Sequence, residues 1–168
     1  MNAPTEPIRQ TWRTPPKLFD LLSELWGPFR LDATASRESA LCERFNAPGF
    51  PDRYQWSECS PVFCNPPFSR AGYWVRYARD RWVEDGCRSV LILPSSTNSR
   101  WWHEVRGDAT TLFPTRRIQF LPPDGIPAST NSRDCMLLLF GYGRGCIGSI
   151  DLNNEALKAV LSAGVRGS

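Results

Sequence analysis

The chain has 168 residues with a formal net charge of +3, and 41% of its residues are hydrophobic; this suffices for one ordinary domain with a sizeable core, not for two. It has six cysteines and one histidine but no Cys-x-x-Cys pair, which argues against a disulfide framework, a zinc ribbon and a histidine-based triad. The longest uncharged apolar run covers only residues 136–140, and the first residues show no basic-then-apolar pattern of the kind expected for a signal sequence. We expect a cytoplasmic protein with reduced cysteines, no metal and no membrane span.

The N-terminal region combines a polar segment with a helix. Residues 1–10 are predicted to form a disordered tail, and residues 11–168 a single domain. Thr14 followed by Pro15 predicts the start of a helix, because threonine is a good N-cap and proline is tolerated in the first helical turn. Leucines at helical spacing follow, and Gly27 is predicted to end the helix.

Further helices and strands alternate along the rest of the chain. The predicted strands cover residues 29–32, 41–45, 62–64, 90–93, 109–113 and 136–140. The predicted helices cover residues 70–86, 99–105 and 155–162, the last of them capped by Asn154. Strands that alternate with helices are typical of a three-layer α/β domain with a mainly parallel sheet.

Four residues after a predicted buried strand carry the clearest chemical signal: Asn65, Pro66, Pro67 and Phe68. Ligands of open α/β sheets bind beyond the carboxyl ends of the strands. The side-chain oxygen of Asn65 and the carbonyl oxygen of Pro66 could accept hydrogen bonds from one amino group, and Phe68 offers a flat face to a base. Such a site would leave the amino lone pair free to attack an electrophile. The alternative is a proline-rich turn without chemistry, because Asn-Pro often begins turns.

Together with other motifs, these residues resemble the phage-type DNA N-6-adenine methyltransferases, which are related to the Dam group and use S-adenosylmethionine. The resemblance covers the chain from Trp12 to about Phe140. Its parts are, in order, Trp12-Arg13-Thr14-Pro15 with Leu18-Phe19-Asp20; Trp26-Gly27-Pro28-Phe29 with Leu31-Asp32; Cys42 with Phe45; Trp56; Asn65-Pro66-Pro67-Phe68; Leu93-Pro94; Arg100-Trp101-Trp102-His103; and Arg117-Ile118 with Phe120. Only the Asn-Pro-Pro-aromatic motif is diagnostic of amino methylation by itself, and the whole order is more specific.

The resemblance implies a Rossmann-like fold, with a mainly parallel seven-stranded sheet and helices on both faces, and a cofactor site for S-adenosylmethionine. Asp32 would lie near the methionine end of the cofactor. Thr14 and Pro15 would line the same end, where a helix N-terminus favours the cofactor carboxylate. Asp52 would match the acid that contacts the cofactor adenine. The sequence departs from the family in two ways, since no glycine-rich loop follows Asp32 and Phe68 stands where tyrosine is common.

The resemblance also implies double-stranded DNA as the partner and a flipped adenine as the acceptor, and we expect a monomer. Trp101 could stack on bases, whereas Trp102 is expected in the core. The candidate phosphate contacts are Arg116, Arg117 and Arg133. For each arginine the alternative is a solvated surface position. The aperiodic segment 116–134 is predicted to be a DNA-reading loop on the catalytic face, mobile without DNA.

Two other functions compete with DNA adenine methylation. Amino methyltransferases that act on a protein glutamine or an RNA guanine use the same four-residue motif, so only the flanking matches separate them from enzymes that methylate DNA. The third candidate is a catalytically silent nucleic-acid-binding domain of the same fold, against which the intact motif and Asp32 both argue. A phage or prophage origin, with action in the bacterial host cell, follows from the resemblance alone.

Overall fold

The computed structural model describes residues 12–47, 53–122 and 134–152. Within these ranges three α-helices cover a six-stranded sheet. The helices are α1 Pro16–Trp26, α2 Ala71–Asp85 and α3 Arg100–Val105. The strands are β1 Leu31–Asp32, β2 Val62–Cys64, β3 Ser89–Pro94, β4 Thr110–Pro114, β5 Cys135–Phe140 and β6 Ile147–Ile150. Short 3-10 helices cover Trp56–Cys59 and Phe68–Arg70.

The sheet has the strand order β1-β2-β3-β5-β4-β6. The pairs β1–β2, β2–β3 and β4–β6 are parallel, whereas β5 is antiparallel to both of its neighbours. Five strands therefore run in one direction and β5 runs in the other. The predicted α/β class is confirmed. The sheet differs from the expected mainly parallel, seven-stranded one, because it is partly antiparallel and has six strands in the described residues.

Two hydrophobic cores lie on opposite faces of the sheet, because successive strand side chains point to opposite faces. On one face, Leu91 of β3 and Leu138 of β5 pack with buried residues of α2 and α3. On the other face, Ile92 and Leu137 pack with Phe19 of α1 and its neighbours. This is the predicted three-layer arrangement. Because helices cover both faces of the sheet, the amino and carboxyl ends of the strands are the places left for a site.

The start of α1 differs from the prediction by one residue. Pro15 is the N-cap and Pro16 the first helical residue, and no side chain caps the helix. The N–H groups of Leu18 and Phe19 donate to the carbonyl oxygen of Pro15. The predicted role of Thr14 as N-cap is therefore wrong, because its hydroxyl bonds to another segment of the chain.

Other predicted elements change in extent. Residues 41–45 do not form a strand, since only Phe45 makes a bridge, to Asp32. Strand β6 was not predicted, because its side chains are mostly exposed and give no hydrophobic signal. The helix expected over 70–86 is confirmed as α2, and Gly86 ends it with a φ of 66°, a conformation that favours glycine. The predicted tail 1–10 and helix 155–162 lie outside the described residues.

None of the helices in the described residues has both the length and the apolar character needed to cross a bilayer. The same residues contain no group of three or more side chains suited to hold a metal ion. All six cysteines are free thiols, and four of them are buried.

Candidate active site

The carboxyl ends of β1 and β2 bring the two predicted site elements to one edge of the sheet. The strands are parallel, with Leu31 opposite Val62 and Asp32 opposite Phe63. Asp32 ends β1, and Asn65 directly follows the last residue of β2. This edge is where α/β sheets bind ligands.

Asp32 is a nearly buried carboxylate, 4% exposed. Its Oδ2 accepts a hydrogen bond of 3.2 Å from the backbone N–H of Leu41, and the N–H of Thr34 also bonds to the side chain. Burial raises the pKa of Asp32 to about 6, because loss of water outweighs the two N–H groups that lower it. Asp32 forms no ion pair with an arginine or lysine in the described part of the chain. A cationic ligand would therefore find an uncompensated carboxylate here.

Asn65 is half-buried and is held by one side-chain contact. Its Nδ2 donates to Oγ1 of Thr14 at 2.9 Å, and Thr14 is itself buried. Within the described ranges, Oδ1 of Asn65 accepts no hydrogen bond. The arrangement leaves the acceptor end of the carboxamide open to a ligand.

Pro66 is buried and Phe68 is half-buried. The ring of Phe68 meets the ring of Phe120 edge to face, with centroids 6.3 Å apart and an interplanar angle of 80°. Such pairs are favourable beyond the area they bury. Phe120, although distant in the sequence, therefore restrains the ring of Phe68.

Residues 118–122 lie beside the same loop, attached to the segment before α1. The backbone groups of Arg13 and Leu121 form a two-way bridge, with N···O distances of 2.9 and 2.8 Å. Nη2 of Arg13 also donates to the carbonyl oxygen of Pro122 at 3.2 Å. We call residues 12–15, 65–68 and 118–122 the three-segment junction. The pairing of Arg13 with Leu121 could not be predicted from the sequence, because no periodic pattern links residues so far apart.

Thr14 and Pro15 offer less to an anion than an ordinary helix start. Pro15 and Pro16 have no backbone N–H, and those of Leu18 and Phe19 already donate to Pro15. Within the described part of the chain, the N–H of Lys17 is the first-turn donor left for an anionic ligand.

The predicted site residue Asp52 lies outside the described residues, and Asn46 and Tyr54 lie on either side of it in the sequence. Asn46 is fully buried, and its side chain bonds in both directions to the backbone of Tyr54, at 3.0 and 2.9 Å. The backbone N–H of Asn46 donates to the carbonyl oxygen of Asp32 at 3.0 Å. Asn46 was not among the predicted site residues, and it connects Tyr54, on the other side of Asp52, to the end of β1 that holds Asp32.

The predicted DNA contacts have different environments. Arg116 and Arg117 are both exposed, and Nε of Arg117 pairs with Oδ1 of Asp134 at 2.7 Å. Trp101 is half-buried and packs against the core on the α2 face. Trp102 is buried as predicted, and its Nε1 donates to Oγ1 of Thr111. Arg133 lies outside the described residues.

Comparisons with known proteins identify a family and a relative to which the chain is similar. A protein-family model described as DNA N-6-adenine-methyltransferase (Dam) matches residues 2–165 of the chain. The DNA N-6-adenine-methyltransferase of Escherichia phage T1 is 30% identical over 113 residues, which cover 67% of this chain and 47% of the phage protein. The chain thus spans about half the length of the curated relative it matches. No solved structure matches it.

Proposed function

Because the chain belongs to the DNA N-6-adenine-methyltransferase (Dam) family, we propose that it transfers the methyl group of S-adenosylmethionine to the exocyclic amino group of a flipped adenine in double-stranded DNA. The observation that carries the proposal is the position of the Asn65 to Phe68 loop beside the buried Asp32, at the carboxyl ends of two parallel strands. Flipping is part of the proposal because a paired adenine hides its amino group inside the duplex.

On the acceptor side, the loop would hold the amino group by its two hydrogens. The Oδ1 of Asn65 and the carbonyl oxygen of Pro66 are both acceptors. Hydrogen bonds to both would draw the amino lone pair out of conjugation with the ring and leave it free to attack. The nitrogen that gains the methyl group would then lose one of its two protons to water. Phe68 would stack on the base, which is worth about 1–3 kcal/mol in other nucleic-acid sites. Its contact with Phe120 supports this role, because a restrained ring loses less entropy on stacking.

On the donor side, S-adenosylmethionine supplies an electrophilic methyl group on a positively charged sulfur. The residues fit such a cofactor, because Asp32 is a buried carboxylate and the cofactor carries positive charge. We assign Asp32, Thr14 and Pro15 to its methionine end and Asp52 to its adenine. The N–H of Lys17 can take part in holding the cofactor carboxylate.

We further propose that the sheet is a Rossmann-like methyltransferase sheet. Support comes from five strands that run in one direction, with helices on both faces and the site at their carboxyl ends. We assign four side chains to contacts with DNA: Arg116, Arg117, Arg133 and Trp101. The chain would bind DNA as a monomer. The phage relative supports action on DNA in a bacterial host cell.

Methylation-sensitive sequencing of DNA from bacteria that express the chain tests the proposed function. We expect N6-methyladenine at a defined short sequence with the parent chain and none with Asn65→Ala, which should still fold and bind S-adenosylmethionine. Methylation of another base, or adenine methylation by Asn65→Ala at the rate of the parent, would contradict the proposal.

A further inference from the structure

The contact between Thr14 and Asn65 joins the segment before α1 to the loop after β2. Nδ2 of Asn65 donates to Oγ1 of Thr14 over 2.9 Å, between residues 51 positions apart in the sequence. Thr14 is 6% exposed, although threonine is more often found at the protein surface. The threonine does not cap α1, because Pro15 holds the N-cap position and the first turn has no side-chain cap. Its hydroxyl therefore serves Asn65 instead of the helix.

With the Nδ2 branch of Asn65 bonded to Thr14, the acceptor end of the carboxamide is the end left for a ligand. A carboxamide carries two N–H donors on one branch and an acceptor oxygen on the other. With Nδ2 held by Thr14, Oδ1 points to the other side of the group. A carboxamide turned by half a rotation would present N–H groups to the amino group of a base, and two donors cannot bond to each other.

We propose that Thr14 is a positioning residue, which holds Asn65 with its acceptor oxygen turned toward the amino group to be methylated. The proposal rests on the proposed function and concerns the same site. Thr14 acts through Asn65 and does not itself touch the acceptor. Because a displacement of about 1 Å at a reacting group can cost on the order of 100-fold in rate, loss of the threonine hydroxyl should slow methyl transfer.

The kinetic test compares Thr14→Val, which keeps the side-chain shape without the hydroxyl, with Thr14→Ser, which keeps the hydroxyl. We expect kcat at saturating cofactor and DNA to fall about 10- to 100-fold in Thr14→Val and to stay close to the parent value in Thr14→Ser. The KM for DNA should change little in either variant. A fall in cofactor affinity with an unchanged kcat would overturn the proposal, since Thr14 would then serve only the cofactor.

Thr111→Val is the matched control. Thr111 is fully buried, and its Oγ1 accepts a hydrogen bond of 3.3 Å from Nε1 of Trp102. Its replacement also removes a buried hydroxyl that accepts from a side-chain N–H, but away from the three-segment junction. We expect it to lower the melting temperature without lowering kcat. Equal losses of kcat in the two valine variants would mean a general structural effect and would overturn the proposal.

A second measurement does not depend on activity. In the ¹⁵N-labelled chain without cofactor, the side-chain amide protons of Asn65 are identified by their loss in Asn65→Ala. We expect Thr14→Val to move them upfield and to speed their exchange with water, and Thr111→Val to leave them in place. Unchanged amide signals in Thr14→Val would overturn the proposal. Thr14→Ala serves in the same way if the valine variant does not fold. If the parent does not methylate adenine, the proposed function fails, and the amide signals still decide the contact.

Discussion

The buried position of Asp32 at the end of β1 makes its ionised form unfavourable for the stability of the folded chain. Its pKa rises from 3.8 to about 6 because the carboxylate loses water on folding. A carboxyl group with a raised pKa stabilises the folded chain in its protonated form, at a pH below about 4. That contribution is lost as the pH rises through about 6. A shift of this size corresponds to roughly 3 kcal/mol.

We therefore predict opposite effects of Asp32→Asn on stability and on binding. At pH 8 the free energy of unfolding should rise by about 1–3 kcal/mol, and the gain should shrink toward pH 4, where the parent carboxyl is protonated. Affinity for S-adenosylmethionine should fall roughly 10- to 150-fold, because a charge-assisted contact is lost. Urea titrations at both pH values and calorimetry of cofactor binding measure the two effects.

Two further groups bear on that pH dependence. Burial raises the pKa of both the Cys42 and the Cys64 thiol, to about 12 for Cys42, and the charge of nearby Asp32 adds a smaller rise. Both thiols stay neutral in this range and do not mask the titration of Asp32. Asp20→Asn, at an exposed position of α1, is the control and should change neither quantity. A stability gain that is equal at pH 4 and pH 8 would exclude the carboxylate as its source.

At the scale of single residues, the sequence predicts what is local and misses what is distant. Asn65 to Phe68 and Asp32 stand out because each follows an apolar run, which marks a strand end. The bond between Thr14 and Asn65 crosses 51 positions of sequence, and Thr14 also has a sound local interpretation as a helix cap. No local pattern shows that its hydroxyl is already used by another segment.

At the scale of elements, the segment that follows β4 connects the junction to candidate DNA contacts. Phe120 and Leu121 fix one part of it to the loop after β2 and to the segment before α1. The ion pair of Arg117 with Asp134 joins it to the start of β5. Both partners are more than half exposed, and such a pair contributes about 0–1 kcal/mol. A phosphate can therefore compete with Asp134 for Arg117.

We predict that Arg116 and Arg117 each contact a phosphate in the DNA complex. Each replacement by alanine should weaken DNA binding, and the slope of log affinity against log salt concentration should fall by about 0.9 for each lost contact. Cofactor affinity should not change. Fluorescence anisotropy with a labelled duplex across a salt series measures the affinity and its salt dependence for the parent and for each variant.

Arg144→Ala is the control for these variants. Arg144 is exposed and pairs with Asp108, like Arg117 with Asp134, but it precedes β6 at the opposite edge of the sheet. Its replacement should leave the slope unchanged. Parallel lines for the parent and the double variant Arg116→Ala, Arg117→Ala would mean that neither arginine touches phosphate.

At the scale of the whole molecule, the sequence predicts the layers but not the order of the strands. Apolar runs at residues 90–93 and 136–140 identify β3 and β5, since both are buried on both faces. Such a run carries no sign of its direction, so the antiparallel setting of β5 could not be predicted. Strand β6 has a weak pattern because its side chains are mostly exposed, and it is held in the sheet by its backbone bonds to β4.

We predict that β5 dominates the stability of the sheet. Leu138 is fully buried in β5, which pairs with β3 and β4. Leu138→Ala should therefore lower the free energy of unfolding by about 2–5 kcal/mol. Ile147 in β6 is 54% exposed, and Ile147→Ala should change it by less than about 1 kcal/mol. Urea denaturation followed by circular dichroism compares them. Similar losses in the two variants would show that β6 contributes as much as the central strand.

The central position of β5 also determines when the sheet can be completed during synthesis on the ribosome. β3 and β4 are made first, but they do not pair with each other, because β5 lies between them. Until residues 135–140 have left the exit tunnel, β4 has no partner strand, because β6 is made after β5, and β3 has one unpaired apolar edge. Such edges are where partly made chains associate wrongly. We therefore expect a truncated chain that ends before β5 to associate or to be degraded more readily than the full chain.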